Sequence, residues 1–127
     1  MRVLLDTQAL FLWFDNFPAV SREARRTIAN SENERIVSAA SAWELAIKTK
    51  IGKLKAQPLL DRLEEYLAEQ GFLALPITLE HAVRAGLLVP HHKDPFDRLL
   101  VAQAQAENLA IVSNDRVFDR YALTRIW

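Results

Sequence analysis

The sequence predicts an α/β fold, a mostly parallel sheet with helices on both faces. Two observations carry that reading. Short apolar runs at Val3-Leu4-Leu5, Ile36-Val37-Ser38, residues 72–75, residues 110–113 and residues 123–126 read as strands. The stretches between most of them have helical spacing, so successive strands are joined by crossovers, and crossovers connect parallel strands. A chain of 127 residues without repeat, low-complexity tract or linker is expected to form one domain over residues 1–127.

The elements follow in order. Asp6 ends the first strand, and residues 7–14 read as a helix that is apolar on nearly every face. Such a helix is buried on several sides or packs against a partner. Pro18 breaks it, and Ser21 suits the N-cap of a helix through Arg25, Arg26 and Ile28. After the second strand, Ser41 or Ala42 opens a helix to Ile51, ended near Gly52. Pro58 fits a helix start, Leu60, Leu63 and Leu67 give that helix a core stripe, and Gly71 suits its C-terminal cap. Pro76 stops the third strand. Thr78 caps a helix carrying Leu79, Ala82, Val83 and Leu87. Residues 90–94 form a loop, Pro95 opens a helix to about Glu107, and the fourth strand and a fifth near the end complete the chain.

Composition excludes several classes. Sixteen basic residues balance sixteen acidic ones, so binding of nucleic acid must rely on a local patch. The absence of cysteine removes disulfides, thiolate metal sites and a cysteine nucleophile, and fits a reducing cytoplasm. Three glycines, Gly52, Gly71 and Gly86, build neither a Walker loop nor a dinucleotide fingerprint. The longest apolar run, residues 9–14, is far short of the ~20 residues of a membrane span, so no membrane association is expected.

In an open parallel sheet, ligands bind beyond the carboxyl ends of the strands. Asp6 stands directly after the first strand and Asp115 two residues after the fourth. Each also suits a helix cap or Asx-turn. Glu44 shares a helix face with Ala40, Ile47 and Ile51, so it points with the apolar side, where an ionised carboxylate needs a cation or donor. An i,i+4 pair with Lys48 is the bland alternative. Asp94, Pro95 and Asp97 fit N-cap, N1 and N3 of one helix, yet Asp97 also shares a face with Val101 and Ala104. Two carboxylates ~5 Å apart repel by about 3 kcal/mol at an effective dielectric near 20. Gathering Asp6, Glu44, Asp97 and Asp115 at one cleft therefore makes sense around a hard divalent cation, Mg²⁺ or Mn²⁺, and points to metal-assisted phosphodiester hydrolysis.

Supporting groups are weaker. Thr7, Ser38, Ser41 and Ser113 lie near the expected cleft as hydrogen-bond donors, and Asn114 adjoins Asp115. No Gly-x-Ser-x-Gly elbow surrounds any serine. Lys48, Lys50, Lys53 and Lys55 form the densest basic stretch, with Arg22, Arg25 and Arg26 as a second, and either could meet phosphates. His91-His92 reads as an ordinary exposed loop pair, not a zinc site.

Leu4-Leu5-Asp6-Thr7, residues 41–48 (Ser-Ala-Trp-Glu-Leu-Ala-Ile-Lys), residues 91–104 with Asp94-Pro95-Phe96-Asp97-Arg98 at their centre, and Val112-Ser113-Asn114-Asp115 together resemble a PIN-domain ribonuclease, specifically the VapC-type toxin of bacterial toxin–antitoxin pairs. The resemblance covers nearly the whole chain. It implies a three-layer α/β/α fold with a five-stranded parallel sheet in order 3-2-1-4-5. It also implies an endoribonuclease using Mg²⁺ or Mn²⁺, with Asp6, Glu44, Asp97 and Asp115 as the metal-binding, catalytic acids. Asp94 is implied only as an assisting group, and Lys48, Lys50, Lys53 and Arg98 are candidate RNA contacts. A homodimer and a cognate VapB-type antitoxin are the implied partners. Two alternatives remain: a phosphoacceptor receiver-like Mg²⁺-binding domain, disfavoured because no lysine follows Lys93, and a non-catalytic protein-binding module.

Overall fold

Val3, Leu4 and Leu5 are all fully buried although consecutive strand residues point to opposite faces, so both sides of the sheet are covered. The computed structural model, which describes residues 1–127, shows how. Strands β1 (Arg2–Leu5), β2 (Glu34–Ser38), β3 (Leu73–Leu75), β4 (Ala110–Val112) and β5 (Arg125–Ile126) form one sheet in the order β3-β2-β1-β4-β5. Every pairing is parallel, with Leu5 opposite Val37 on one side and Val112 on the other. This is the three-layer α/β/α arrangement expected from the sequence.

The helices are α1 (Thr7–Asp15), α2 (Arg22–Ala29), α3 (Ala39–Lys50), α4 (Gln57–Asp61), α5 (Leu63–Glu69), α6 (Leu79–Leu87) and α7 (Pro95–Ala106). Short 3₁₀ turns occupy Phe17–Ala19 and Arg116–Tyr121. One core joins Val3, Leu5, Val37 and Val112 to Leu10 of α1, Ile28 of α2, Leu59 of α4 and Leu67 of α5. The other joins Leu4, Ile36 and Ile111 to Leu100, Val101 and Ala104 of α7 and to Phe118. α3 feeds both, through Leu45 and Ala40. No helix is long and apolar enough to cross a membrane.

Two expectations need correction, and a third element, α6, shows which of its faces turns inward, a point the sequence left open. α3 starts at Ala39, not Ser41 or Ala42, because Ser38, the last residue of β2, already acts as its cap and accepts the Ala40 N–H at 2.9 Å. The helix after Pro58 is two helices, broken at Arg62, whose φ of −131° is not helical. Leu79, Val83 and Leu87 are not core: they are 87%, 62% and 82% exposed, while α6 turns His81 and Ala85 inward. The inward side is fixed by polar contacts. His81 Nδ1 accepts the Thr78 N–H at 3.1 Å, and its Nε2 lies 2.9 Å from Glu107.

Arg35 ties the first core's rim together. It is 8% exposed and donates to the carbonyls of Ile28 at 2.9 Å and Gln70 at 3.0 Å. Gly71 beside it has φ +74°, and a Cβ there would stand 3.0 Å from the Arg35 guanidinium, so glycine is required on both counts. Replacing Arg35 with Met strands those carbonyls and is expected to lower unfolding free energy by about 2–4 kcal/mol, as read by urea denaturation.

Candidate metal centre

The carboxyl ends of β1, β2 and β4 and the start of α7 meet at one edge of the sheet. Asp6 follows β1 and caps α1, with Oδ1 accepting the Ala9 N–H at 2.7 Å. Its Oδ2 accepts the hydroxyl of Ser113, the residue after β4. Ser113 Oγ in turn accepts the Asp115 N–H at 2.9 Å. Asp115 caps the following 3₁₀ turn, Oδ1 accepting the Val117 N–H at 2.9 Å, while Oδ2 lies 3.0 Å from His92 Nε2. The capping roles read from the sequence are thus real, and they coexist with a place at the cleft. Asp94 likewise caps α7 by accepting the Phe96 N–H at 2.8 Å.

Asp97 and Glu44 are held differently. Glu44 is 4% exposed; its Oε2 pairs with Lys48 Nζ at 2.7 Å, and its Oε1 is buried without a partner. The hydrogen bond that Lys48 donates to Glu44 raises the pKa of the Lys48 ammonium above its ordinary value. Burial pushes the Asp97 carboxyl up to about 7, and the charges of Asp94, Glu44, Asp6 and Asp115 act in the same direction. Burial pushes Asp6 up to about 6, against the hydrogen bonds from Ser113 and Ala9. Burial also raises Asp115, but the Val117 amide, His92 and Arg125 outweigh it and leave that carboxyl below its usual range.

All four expected acids line a single cavity of about 430 Å³, together with Asp94, Thr7 and Lys48. Five carboxylates thus face it against one ammonium. Thr7 also donates its hydroxyl to Ser41 at 3.0 Å. Ser38 and Ser113 act behind the cavity, as α3 cap and as the link between Asp6 and Asp115. Asn114 is exposed and outside it.

Of the basic candidates, only Lys48 lines the cavity. Lys50 borders a separate surface hollow with Gln57 and Asp61, and Lys53 is exposed. Arg98 donates to the Ala85 and Gly86 carbonyls at 3.0 and 3.1 Å, which closes the C-terminal end of α6. His92 was missed by the sequence. It is 6% exposed, not a loop-surface residue, and one ligand atom each from His92, Asp97 and Asp115 lies within 4.8 Å of the others. Nothing in the spacing of His91-His92 signals this, because burial comes from Phe118 and Tyr121, far along the chain.

The donor set is carboxylate-rich and partly buried, and Asp97 and Glu44 Oε1 lack a hydrogen-bond partner, which suits a hard divalent cation. The PIN-domain family model matches residues 3–123. The chain belongs to the PIN-domain family. PIN domains are generally metal-dependent nucleases. Among solved structures, the chain is similar to a DNA-bound VapBC from Salmonella typhimurium, with 20% identity over 98% of this chain and 96% of that one and a TM-score of 0.72. It is also similar to VapBC2 from Rickettsia felis bound to a promoter DNA fragment, at 19% identity, 98% and 97% coverage and a TM-score of 0.70. FitAcB from Neisseria gonorrhoeae matches at 20% identity, 97% and 95% coverage and a TM-score of 0.69. At these identities the likeness is one of fold. No curated protein matches the chain.

Proposed function

We propose that this PIN domain is the toxin of a VapBC-type toxin–antitoxin pair, an endoribonuclease that cleaves RNA phosphodiester bonds with Mg²⁺ or Mn²⁺ in the cytoplasm and stops growth when its antitoxin is missing. The carrying observation is the convergence of Asp6, Glu44, Asp97 and Asp115 on one cavity at the strand ends, with Glu44 Oε1 lacking any protein partner. A structural role offers no reason to assemble such repulsion. The antitoxin proposal is supported by the similar structures, which include VapBC assemblies and one described as a toxin–antitoxin complex, from Klebsiella pneumoniae.

A bound divalent cation would supply charge neutralisation at the scissile phosphate and an acidified water. The chain's own groups divide the remaining work. Asp6 and Asp115 each meet a protein partner at both oxygens, and so form a fixed floor. Asp97, without a hydrogen bond, and Glu44, with one free oxygen, can turn toward a cation with little to break. Lys48 holds Glu44 in place and is the cationic group nearest an entering phosphate within the cavity.

The test is cleavage of total RNA by the purified chain with Mn²⁺, with Mg²⁺ and with chelator, the new ends being mapped by sequencing. Defined cut sites that vanish with chelator are expected. Cuts indifferent to chelator would remove the metal from the mechanism.

The proposed homodimer has a candidate face. Leu79, Val83 and Leu87 recur every fourth residue along the outside of α6, and Glu80 and Arg84 flank them. Two copies of α6 packed antiparallel about a two-fold axis would set each Glu80 near the other's Arg84. Leu87→Lys is expected to leave the fold intact and halve the mass in light scattering. An unchanged mass would place the interface elsewhere.

A further inference from the structure

We propose that His92 is a nitrogen ligand of the cation centre, through Nε2, and that it biases the centre toward Mn²⁺ over Mg²⁺. This inference rests on the divalent-cation reading above and adds a ligand that the acid set does not contain.

The geometry comes from three elements. Nε2 lies 3.0 Å from Asp115 Oδ2, and the ligand atoms of His92, Asp97 and Asp115 fall within 4.8 Å of one another. Donors ~2.0–2.2 Å from one ion stand no more than about 4.4 Å apart, so this cluster is close to the spacing of a coordination shell before any ion draws it in. Glu44, whose Oε1 is buried and without a partner, lines the same cavity as Asp97 and Asp115, so a further carboxylate oxygen there is unmet by the protein.

Packing, not Asp115, fixes the ring. The His92 N–H donates to the Tyr121 hydroxyl at 2.8 Å. The imidazole lies parallel to the Tyr121 ring, 5.5 Å between centroids, and 4.5 Å from Phe118. Nε2 is therefore aimed at the acids whether or not it carries a proton. Asp115 Oδ2 favours the proton on Nε2 in the metal-free protein, and Nδ1, buried and without a partner, meets no donor that would stop it from taking that proton when Nε2 ligates. A neutral ring donates to Asp115 with its proton on Nε2, and ligates through Nε2 with the same proton on Nδ1; no proton is gained or lost. Imidazole suits Fe, Ni, Cu and Zn best, and Mn²⁺ stands at the weak end of that series, but Mg²⁺ takes oxygen ligands and keeps its waters, so nitrogen discriminates against Mg²⁺ most. A mixed nitrogen–oxygen shell thus favours Mn²⁺.

The test is pulsed electron paramagnetic resonance of Mn²⁺ bound to the full chain, paired with calorimetric titration of Mn²⁺ and Mg²⁺. Wild-type protein should show nitrogen modulation on the Mn²⁺ signal that changes frequency on ¹⁵N-histidine labelling. This arm needs no variant, so it stands even if His92→Gln fails to fold. His91→Gln, altering an exposed neighbour, should retain the modulation, and a folded His92→Gln should lose it. Mn²⁺ should bind at least about tenfold more tightly than Mg²⁺ in wild type, the scale on which one group at a metal matters, and the gap should narrow in His92→Gln. Bound Mn²⁺ without nitrogen modulation overturns the proposal, as does a His92→Gln protein that loses Mn²⁺ and Mg²⁺ affinity equally, since that would make His92 only a positioning residue for Asp115. Failure of both ions to bind overturns it together with the cation reading itself.

Discussion

Asp97→Asn is expected to fold, to lose RNA cleavage by at least about a hundredfold, and to bind divalent cations at least about tenfold more weakly. Asp97 sits in the first turn of α7, after the Asp94 cap and Pro95, so the helix start does not depend on its side chain. Its carboxylate accepts no hydrogen bond, and its surroundings push its proton affinity up: burial first, then four other acids. On the proposed reading, a cation relieves a group arranged that badly for itself. The neutral, isosteric amide removes the repulsion, so metal-free Asp97→Asn should melt at or above the wild-type temperature. Titration calorimetry, a cleavage assay and a thermal melt read the three parts separately. Full cleavage by the variant would take Asp97 out of the mechanism. A lower melting temperature without metal would assign it a structural role.

The second large effect is a pH dependence of stability that is present without metal and cancelled by it. Asp6 is held up at about 6 and Asp97 at about 7, against 3.8 for an ordinary aspartate. Between about pH 4 and 7 the folded chain therefore holds protons that the unfolded chain has released, and stability falls as pH rises. The contribution is complete below the unfolded value and gone above the folded one. Asp115 is shifted the other way and weakens the fold only as pH drops below the ordinary carboxylate range. The metal-free protein should thus be most stable near pH 4 and lose about 5–10 °C of melting temperature by pH 8. A cation binds the ionised acids, and at a hundred times its Kd contributes about 2.7 kcal/mol, so millimolar Mn²⁺ should restore the loss at pH 8 and do little at pH 5. Melts with Mn²⁺ and with chelator across pH 4–8 check this. A flat metal-free profile would show that the acids are not crowded in solution.

The fold and the acid cluster were legible in the sequence for one reason: strand ends in a parallel sheet are a predictable place, and Asp6, Asp115 and the start of α7 are tied to them by chain adjacency. Glu44 was legible from helical phase, although both readings of it hold, since it is buried with the apolar face and also paired with Lys48. The outward stripe of α6 was not legible. Periodicity says that Leu79, Val83 and Leu87 share a face, and it cannot say whether that face meets this chain's core. Here the inward side is specified by His81, whose hydrogen bonds to distant residues leave no local pattern. His92 escaped for the same reason: its burial is made by Phe118 and Tyr121 after the chain has returned through β4. Arg98 looked available to RNA because a sequence does not show which carbonyls lie within its reach.

The double duty of Asp6 and Asp115 has a genetic corollary. Asparagine caps a helix as well as aspartate does, whereas alanine forfeits about 1 kcal/mol at each such end. On the proposed toxin reading, the gene is under constant pressure toward loss because its product arrests the host unless a partner neutralises it, and one base separates an aspartate codon from an asparagine codon. Survivors carrying asparagine at either position should accumulate intact, harmless protein that still recruits its neutralising partner, while alanine survivors should be depleted by proteolysis.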